Sequence, residues 1–521
     1  MNTLNALSAQ QFKAQTAQAT QPTQQTQQKP ASQNTKTSIF YVNDVHGQIP
    51  KMERLVAASQ LSGIEAKNSG AGYLKLCSGD TFIGSSQQRN ETAAKFLDIA
   101  GFDATTLGNH EFDITASICG DLLKNSKTNI LGMNMNFPDG NSELSKKVLR
   151  SVVATDSNGE KYGLIGLQPS DITKRIKKPE QLNGITIDDV EETKKELQEE
   201  VNKLKQQGLN KIIVLSHEGN KVEKEIAQSV EGIDVILGGH SHELIKGIQE
   251  GENLFYSPSG EPVVITQAGR DGNNFGVLNL EFNNDGQIVS VQNNVRNTND
   301  YKPNLIMAKT SDAILGDSPE IGSLGAVSGL PKSISTEENP WADFVADAVK
   351  NQLDTDIALI NSNNFRGSVA EGPVTERDIE SIFPFSNKLA KVKLSEKNLV
   401  DAVKMCAKSL TTHDHKPGIM QVSGLKYTLG KDGELKNMTF VDKQGNDHEI
   451  DVNNPDPNKT YVAAYDEFLI NGGDGLDMLK PQESDFIEKY DFDKDKCTVD
   501  YIKTLVQPFE VKADNRIVIE D

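Results

Sequence analysis

Basic charge is in short supply in this sequence of 521 residues: 54 lysines and arginines face 74 aspartates and glutamates, a formal net charge of −20. Binding a nucleic-acid backbone or an anionic membrane as the main partner calls for a basic face that releases counterions, so the composition argues against both. A small anionic substrate stays compatible, because a bound metal can dominate the local field. Cysteine is also scarce. Cys77, Cys119, Cys406 and Cys497 are widely scattered with no CxxC spacing, so neither a disulfide framework nor a thiolate zinc site follows. No window holds the ~18 apolar residues of a membrane-spanning helix. Residues 1–36, rich in Gln, Thr, Ala and Ser, lack the basic and apolar regions of an ordinary secretory leader and are expected to form a disordered tail.

From Ser38 onward the texture changes. Short apolar runs recur ("SIFYV", "YLKLC", "ATTL", "KIIVL", "DVIL"), with helix-like segments between several of them. In "VEETKKELQEEVNKLKQQG" a seam of Leu197, Val201 and Leu204 predicts a helix, with Glu199 and Lys203 able to pair and Gly208 at its end. "KIIVLSHEG" follows at once, and strand, helix, strand at this spacing reads as α/β. The chain is too long for one core. Residues 37–300 are expected to form one domain, 301–325 a linker in which "LIMAKTSDAIL" is helical, and 326–521 a second α/β domain.

Five of the 8 histidines follow these apolar runs directly. "SIFYVNDVHG" carries Asp44 and His46, "YLKLCSGD" ends in Asp80, and "ATTLGNHEFD" offers Asn109, His110 and Asp113. "KIIVLSHEG" delivers His217, and "DVILGGHSH" delivers His240 and His242. Open α/β sheets bind ligands at the carboxyl ends of their strands, where these groups lie. Gly79, Gly108 and Gly239 each precede a candidate ligand, where a tight turn or close backbone approach leaves no room for a Cβ. Singly each motif reads as a cap, a core histidine or a polar turn; six such donors in one domain read as a metal site. Carboxylate, imidazole and amide oxygen without thiolate suit Zn, Mn, Fe or Co. The supply exceeds the needs of one ion, so a second ion ~4 Å away is expected, with Asp80 as the bridging candidate.

The ordered set D-x-H, G-D, G-N-H-E-F-D, S-H-E-G and G-G-H-S-H resembles the metallophosphoesterase family. With a second domain behind it, the arrangement is similar to the 5′-nucleotidase branch, which includes UDP-sugar hydrolases and cyclic-nucleotide phosphodiesterases. The resemblance implies a metallophosphoesterase-like sandwich domain and a second α/β substrate-binding domain joined by a linker helix. It implies two divalent ions, one held by Asp44, His46, Asp80 and His242, the other by Asp80, Asn109, His217 and His240. His110 would face the phosphate, with Asp113 orienting its imidazole. Two cations would neutralise phosphate oxygens and activate a water for in-line attack, while His110 stabilises charge developing on the phosphoryl oxygens. The implied function is hydrolysis of nucleoside 5′-phosphates. The rival readings are a cyclic-nucleotide phosphodiesterase, a UDP-sugar hydrolase, or a non-catalytic nucleotide-binding surface protein. Family members are mostly exported, which leaves location open between export and the cytoplasm.

The second-domain motifs trace as "INSNNFRG" and "YDEFLINGGDG". By resemblance Asn361 and Arg366 would contact substrate, Phe468 would stack on a base and Asp474 would hold ribose hydroxyls. Two departures stand out. Relatives clamp the base between two aromatics, whereas "KPGIMQVSGLKY" has Ile419 at the first aromatic's place. Relatives also carry an arginine ahead of an E-x-x-L-G-N-L-like helix start, where "KSISTEENPWADF" has none and shows Ala342-Asp343 for Gly-Asn. His413 and His415, in "TTHDHKPG", read as a solvated loop.

Overall fold

The computed structural model describes residues 34–138, 142–176, 178–329, 333–366, 368–385, 387–412 and 416–520. The proposed tail up to residue 33, and His413 and His415, lie outside these. The chain divides into two units at Asp317/Ser318. No helix among the described residues is long and apolar enough to cross a membrane.

Strands of the first unit are apolar on both faces because each face meets a different layer. Ile39 and Tyr41 pack with Leu74, Leu76, Leu164, Ile213, Leu215 and Leu237 between two sheets. Their neighbours Phe40 and Val42 turn to the opposite face, among residues of the helices Ile49–Asn68 and Gln87–Ala100. On the other sheet Ile212 and Val214 meet Leu197, Val201 and Leu204 of the helix Val190–Gln206. The order is helix, sheet, sheet, helix, as the period of two along each strand dictates.

One sheet has seven strands, with Thr35–Val42, Gly72–Cys77, Ala104–Thr106 and Asn129–Leu131 adjacent and parallel. The other has six, with Lys161–Leu167, Ile212–Ser216, Val235–Leu237 and Pro262–Thr266 adjacent and parallel. Val42 pairs with Cys77, Cys77 with Thr105, Ser216 with Leu167 and Leu215 with Leu237. The carboxyl ends therefore finish in register. In the predicted helix, Asp189 caps the start by accepting from Glu192 N at 3.0 Å. Lys203 pairs with Glu200 at 3.2 Å rather than with Glu199. Between 301 and 325, Leu305–Leu315 is helical with Met307 buried in the first unit's core, and Glu320–Ser328 is a strand of the second unit.

In the second unit a five-stranded sheet runs in the order Met420–Ser423, Ile357–Asn361, Thr460–Asp466, Leu389–Ser395, Phe486–Lys489. Its faces again feed separate cores: Ile357 and Leu359 go to one, Ala358 and Ile360 to the other. Ile357–Asn361 and Thr460–Asp466 are parallel neighbours, so their carboxyl ends emerge side by side.

Candidate functional site

Beyond the first unit's strands the loops stay zipped together. Asp44 N donates to Gly79 O (3.0 Å), His46 N to Asp80 O (2.8 Å) and Gly47 N to Thr81 O (2.9 Å), which prolongs the parallel pairing past the sheet. The backbone is left-handed at Asp44, His46 and Asp80 within this pairing and at His240 and His242 beside it, with φ between 51° and 69°. Non-glycine residues seldom adopt this conformation, and it costs on the order of 1–3 kcal/mol each. Five of them in one pocket mark a place where surrounding contacts overrule local preference.

Asp44, His46, Asp80, His110, His217, His240 and His242 lie close together there. Asp80 Oδ2 lies 3.4 Å from His46 Nε2 and 3.1 Å from His217 Nε2. Asp44 Oδ1 lies 3.3 Å from His242 Nε2 and 3.8 Å from the Nε2 atoms of both His46 and His217. The His217 and His240 rings are 5.2 Å apart, as ring centroids, and His46 sits 5.1 Å from His242 and from His110. Asp80, His217 and His240 bring one donor atom each within 4.8 Å of one another, as do Asp44, His46 and His242, and also His46, Asp80 and His110. Asn109 is buried with Oδ1 lacking a hydrogen-bond partner.

The histidines are aimed from behind. His46 Nδ1 bonds Asp271 Oδ1 at 2.9 Å, and His217 Nδ1 donates to Ser78 O at 2.6 Å. Each Nε2 is thereby turned inward, buried and without a hydrogen bond. Orphaned imidazole nitrogens held by such rear contacts are the pattern of metal-ligating histidine. The glycines fit the same reading. A Cβ on Gly108 would stand 2.2 Å from Asp80 Oδ1 and 2.6 Å from His217 Nε2, and one on Gly239 would stand 2.8 Å from His217 Nδ1.

Charge is strongly organised. Burial would push the Asp44 carboxyl up, but His242 and His217 hold it down at about 2. Asp80 is held well below the carboxylate range, against burial, by His217 and His110. Burial opposes the charged form of His46, yet its bond to Asp271 and the nearby Asp80 carboxylate raise it to about 9. His217 is raised to about 10, against burial, by Asp80 and Asp44. His240 and His242 fall to about 4, mainly through burial.

His110 and Asp113 pair at 2.7 Å through Nδ1 and Oδ2, and Gly84 N donates to the same oxygen at 2.7 Å. Between them sits a residue that sequence reasoning passed over. The buried Glu111 carboxylate accepts from Asp80 N (3.0 Å), Thr81 N (2.7 Å), Phe82 N (3.0 Å) and Gly108 N (2.6 Å), fixing the loop that carries Asp80. Gln267 was missed too. Its amide donates to Gly239 O at 3.2 Å and its oxygen accepts from Glu243 N at 3.1 Å, bracketing "GGHSH". Gln267 and Asp271 both follow the run "PVVIT", so the strand-end rule applied there would have found them.

In the second unit "INSNNFRG" and "YDEFLINGGDG" meet at the parallel strand ends, with Asn364 Nδ2 donating to Asp466 Oδ2 at 3.0 Å. Asn361 is buried with Oδ1 lacking a hydrogen-bond partner. Arg366 N donates to Ile382 O at 2.8 Å, and its guanidinium stands 5.9 Å from the Phe385 ring. Phe468 is half-buried beside Gly473, whose absent Cβ would fall 2.4 Å from the ring, and Asp474 is left-handed at φ 57°. The two departures are neighbours: Ile419 N donates to Ser335 O at 2.9 Å. Ile419 is wholly buried in the core and presents no face to a base. Asp343, also buried, lies 3.7 Å from Arg516 Nε.

Comparison with known proteins agrees with this geometry. Residues 37–244 match the calcineurin-like phosphoesterase family, and residues 321–481 match the 5′-nucleotidase C-terminal domain. The trifunctional nucleotide phosphoesterase protein YfkN of Bacillus subtilis (strain 168) is 24% identical over 496 residues, covering 85% of this chain but only 32% of YfkN. The 5′-nucleotidase of Rattus norvegicus is 25% identical over 506 residues, covering 87% of this chain and 86% of that protein. The crystal structure of a 5′-nucleotidase precursor from Thermus thermophilus has the same fold, with a TM-score of 0.66, 23% identity, and coverage of 93% and 99%.

Proposed function

We propose that this chain, a metallophosphoesterase of the 5′-nucleotidase type, hydrolyses nucleoside 5′-phosphates or related nucleotide esters to nucleoside and phosphate with the help of two divalent ions. One observation carries the reading: the Asp80 carboxylate stands between two imidazole nitrogens, each turned inward by a contact on its far side. Asp44, His46, Asp80 and His242 would hold one ion, and Asp80, Asn109, His217 and His240 the other, drawn from Zn, Mn, Co or Fe. Bound cations supply positive charge to phosphate oxygens and activate water. His110, its Nδ1 tied to Asp113, presents Nε2 to charge that develops on the phosphoryl group. Asn361, Arg366, Phe468 and Asp474 would recognise the nucleoside part.

The test is phosphate release from AMP, UDP-glucose and 2′,3′-cyclic AMP with added Mn, Co or Zn, alongside elemental analysis of the purified protein. AMP turnover with bound metal is expected. Turnover confined to the diester or the nucleotide sugar would reassign the substrate, and absence of both metal and turnover would leave a binding protein on this fold.

With Ile419 inside the core, Phe468 is left as the aromatic for the base, forgoing about 1 kcal/mol of pairing preference. Purine and pyrimidine monophosphates are therefore expected to show kcat/KM values within about tenfold of each other, as a panel of AMP, GMP, CMP and UMP would reveal.

Protons and cations compete for the same pocket. At pH 7.5 the ion-free protein keeps His46 and His217 charged, since their values are raised to about 9 and about 10. Metal uptake should expel about two protons, measurable by calorimetry in buffers of different ionisation enthalpy, with affinity climbing as pH rises toward 9–10. These raised values contribute stability that is full below the unfolded histidine value of ~6.5 and lost as pH rises through the folded ones. The Tm of the chelator-treated protein should accordingly fall between pH 7 and 10.

A further inference from the structure

The second unit holds a buried ion pair that the proposed chemistry does not use. Lys494, at the start of the helix Lys494–Thr504, is 1% exposed, and its Nζ lies 2.5 Å from Oδ2 of Asp466, itself 4% exposed. Burying an ammonium and a carboxylate is expensive, and a fold needing only bulk there would do as well with apolar side chains. What distinguishes this pair is what the carboxylate reaches. Asp466 is the last residue of the strand Thr460–Asp466 and caps the short helix Glu467–Ile470, its Oδ1 accepting from Leu469 N at 3.3 Å. That helix carries Phe468. The other oxygen, Oδ2, accepts from Asn364 Nδ2 at 3.0 Å, and Asn364 lies between Asn361 and Arg366 in "INSNNFRG". The ammonium also stands 5.2 Å from the Phe383 ring, which packs edge-on against Phe365, the residue before Arg366.

We infer that Lys494 is a positioning residue for substrate recognition: through Asp466 it locks the turn bearing Phe468 to the loop bearing Asn361 and Arg366. The inference rests on the nucleotide reading given above. Without the ammonium, the buried Asp466 carboxylate is left with the neutral donors Asn364 and Leu469 N alone, an uncompensated charge that loosens the anchor common to both motifs. The metal-site donors belong to the first unit and are untouched.

The holoenzyme carrying Lys494→Met, Lys494→Arg, or the charge-neutral pair Lys494→Met/Asp466→Asn should be assayed on AMP and on p-nitrophenyl phosphate, a phosphomonoester without a nucleoside. The double variant leaves no buried unpaired carboxylate and provides a folded comparator where Lys494→Met alone does not fold. Lys494→Met and the double variant are expected to raise KM for AMP about tenfold or more while kcat stays within about threefold. For p-nitrophenyl phosphate kcat/KM should stay within about twofold, and Lys494→Arg should recover most of the AMP affinity. A folded variant with wild-type KM for AMP, or equal losses on both substrates, would overturn the inference alone. Failure of the wild-type protein to turn over any nucleotide would instead overturn the nucleotide reading and this inference with it.

Discussion

Changing Asp80 to asparagine is expected to lower kcat/KM by about 10³-fold or more, some 4 kcal/mol of transition-state stabilisation, and to drop bound metal below the wild-type content. Asp80 is the carboxylate within 3.4 Å of both His46 and His217, so its charge serves both halves of the donor set. The amide has the same shape and still accepts from His110 N, which the native Oδ1 does at 2.8 Å. It cannot offset bound cationic charge, and in the ion-free protein it leaves two buried imidazoliums with less counter-charge. Glu111 still grips the backbone of Asp80, Thr81 and Phe82, so the loop should persist and circular dichroism should match wild type. Elemental analysis with phosphate release decides the matter. A variant with wild-type metal content and a rate within tenfold would remove Asp80 from the centre of the site.

His110→Gln is expected to behave differently: a loss of about 10²–10³-fold in kcat with metal content unchanged, as for removal of one preorganised charge stabiliser. The ring is fixed by Asp113, and Gln181 fixes the stretch in turn, donating to Phe112 O and Asp113 O at 2.8 Å each. Glutamine can reach the same space but lacks the imidazole that Asp113 holds in place. Asp113→Asn should lose about 10–100-fold, since the imidazole remains and only its orientation suffers. His110 also lies close enough to His46 and Asp80 to share an ion with them. Metal content therefore separates the two roles: its loss in His110→Gln would make His110 a ligand.

Much of this site is legible in the sequence, because the parallel sheets turn adjacency in sequence into convergence in space. A polar residue just past an apolar run lies at a strand's carboxyl end, and the register brings those ends together. The residues that escaped notice are those whose task is defined by backbone atoms far off in sequence. Glu111 serves amides about thirty positions earlier, and Asp271 serves an imidazole 225 positions away. No local pattern encodes such partners. Lys203 illustrates the same limit at short range: two glutamates, Glu199 and Glu200, are within helical reach, and it pairs with the one three residues back. Ile419 looked from its motif like a substitute for an aromatic platform, but an aliphatic side chain at a strand start gains more by entering the core. The strain at Asp44, His46 and Asp80 was invisible for another reason, since residue type alone gives no sign of a positive φ.

That strain sets function against robustness. Glycine at any of the five left-handed positions would relieve backbone tension but would also delete a donor and, at Asp44, His46 and Asp80, a buried side chain with its hydrogen bonds. The tension is therefore tied to the very groups that offset it, and neither can be engineered away alone.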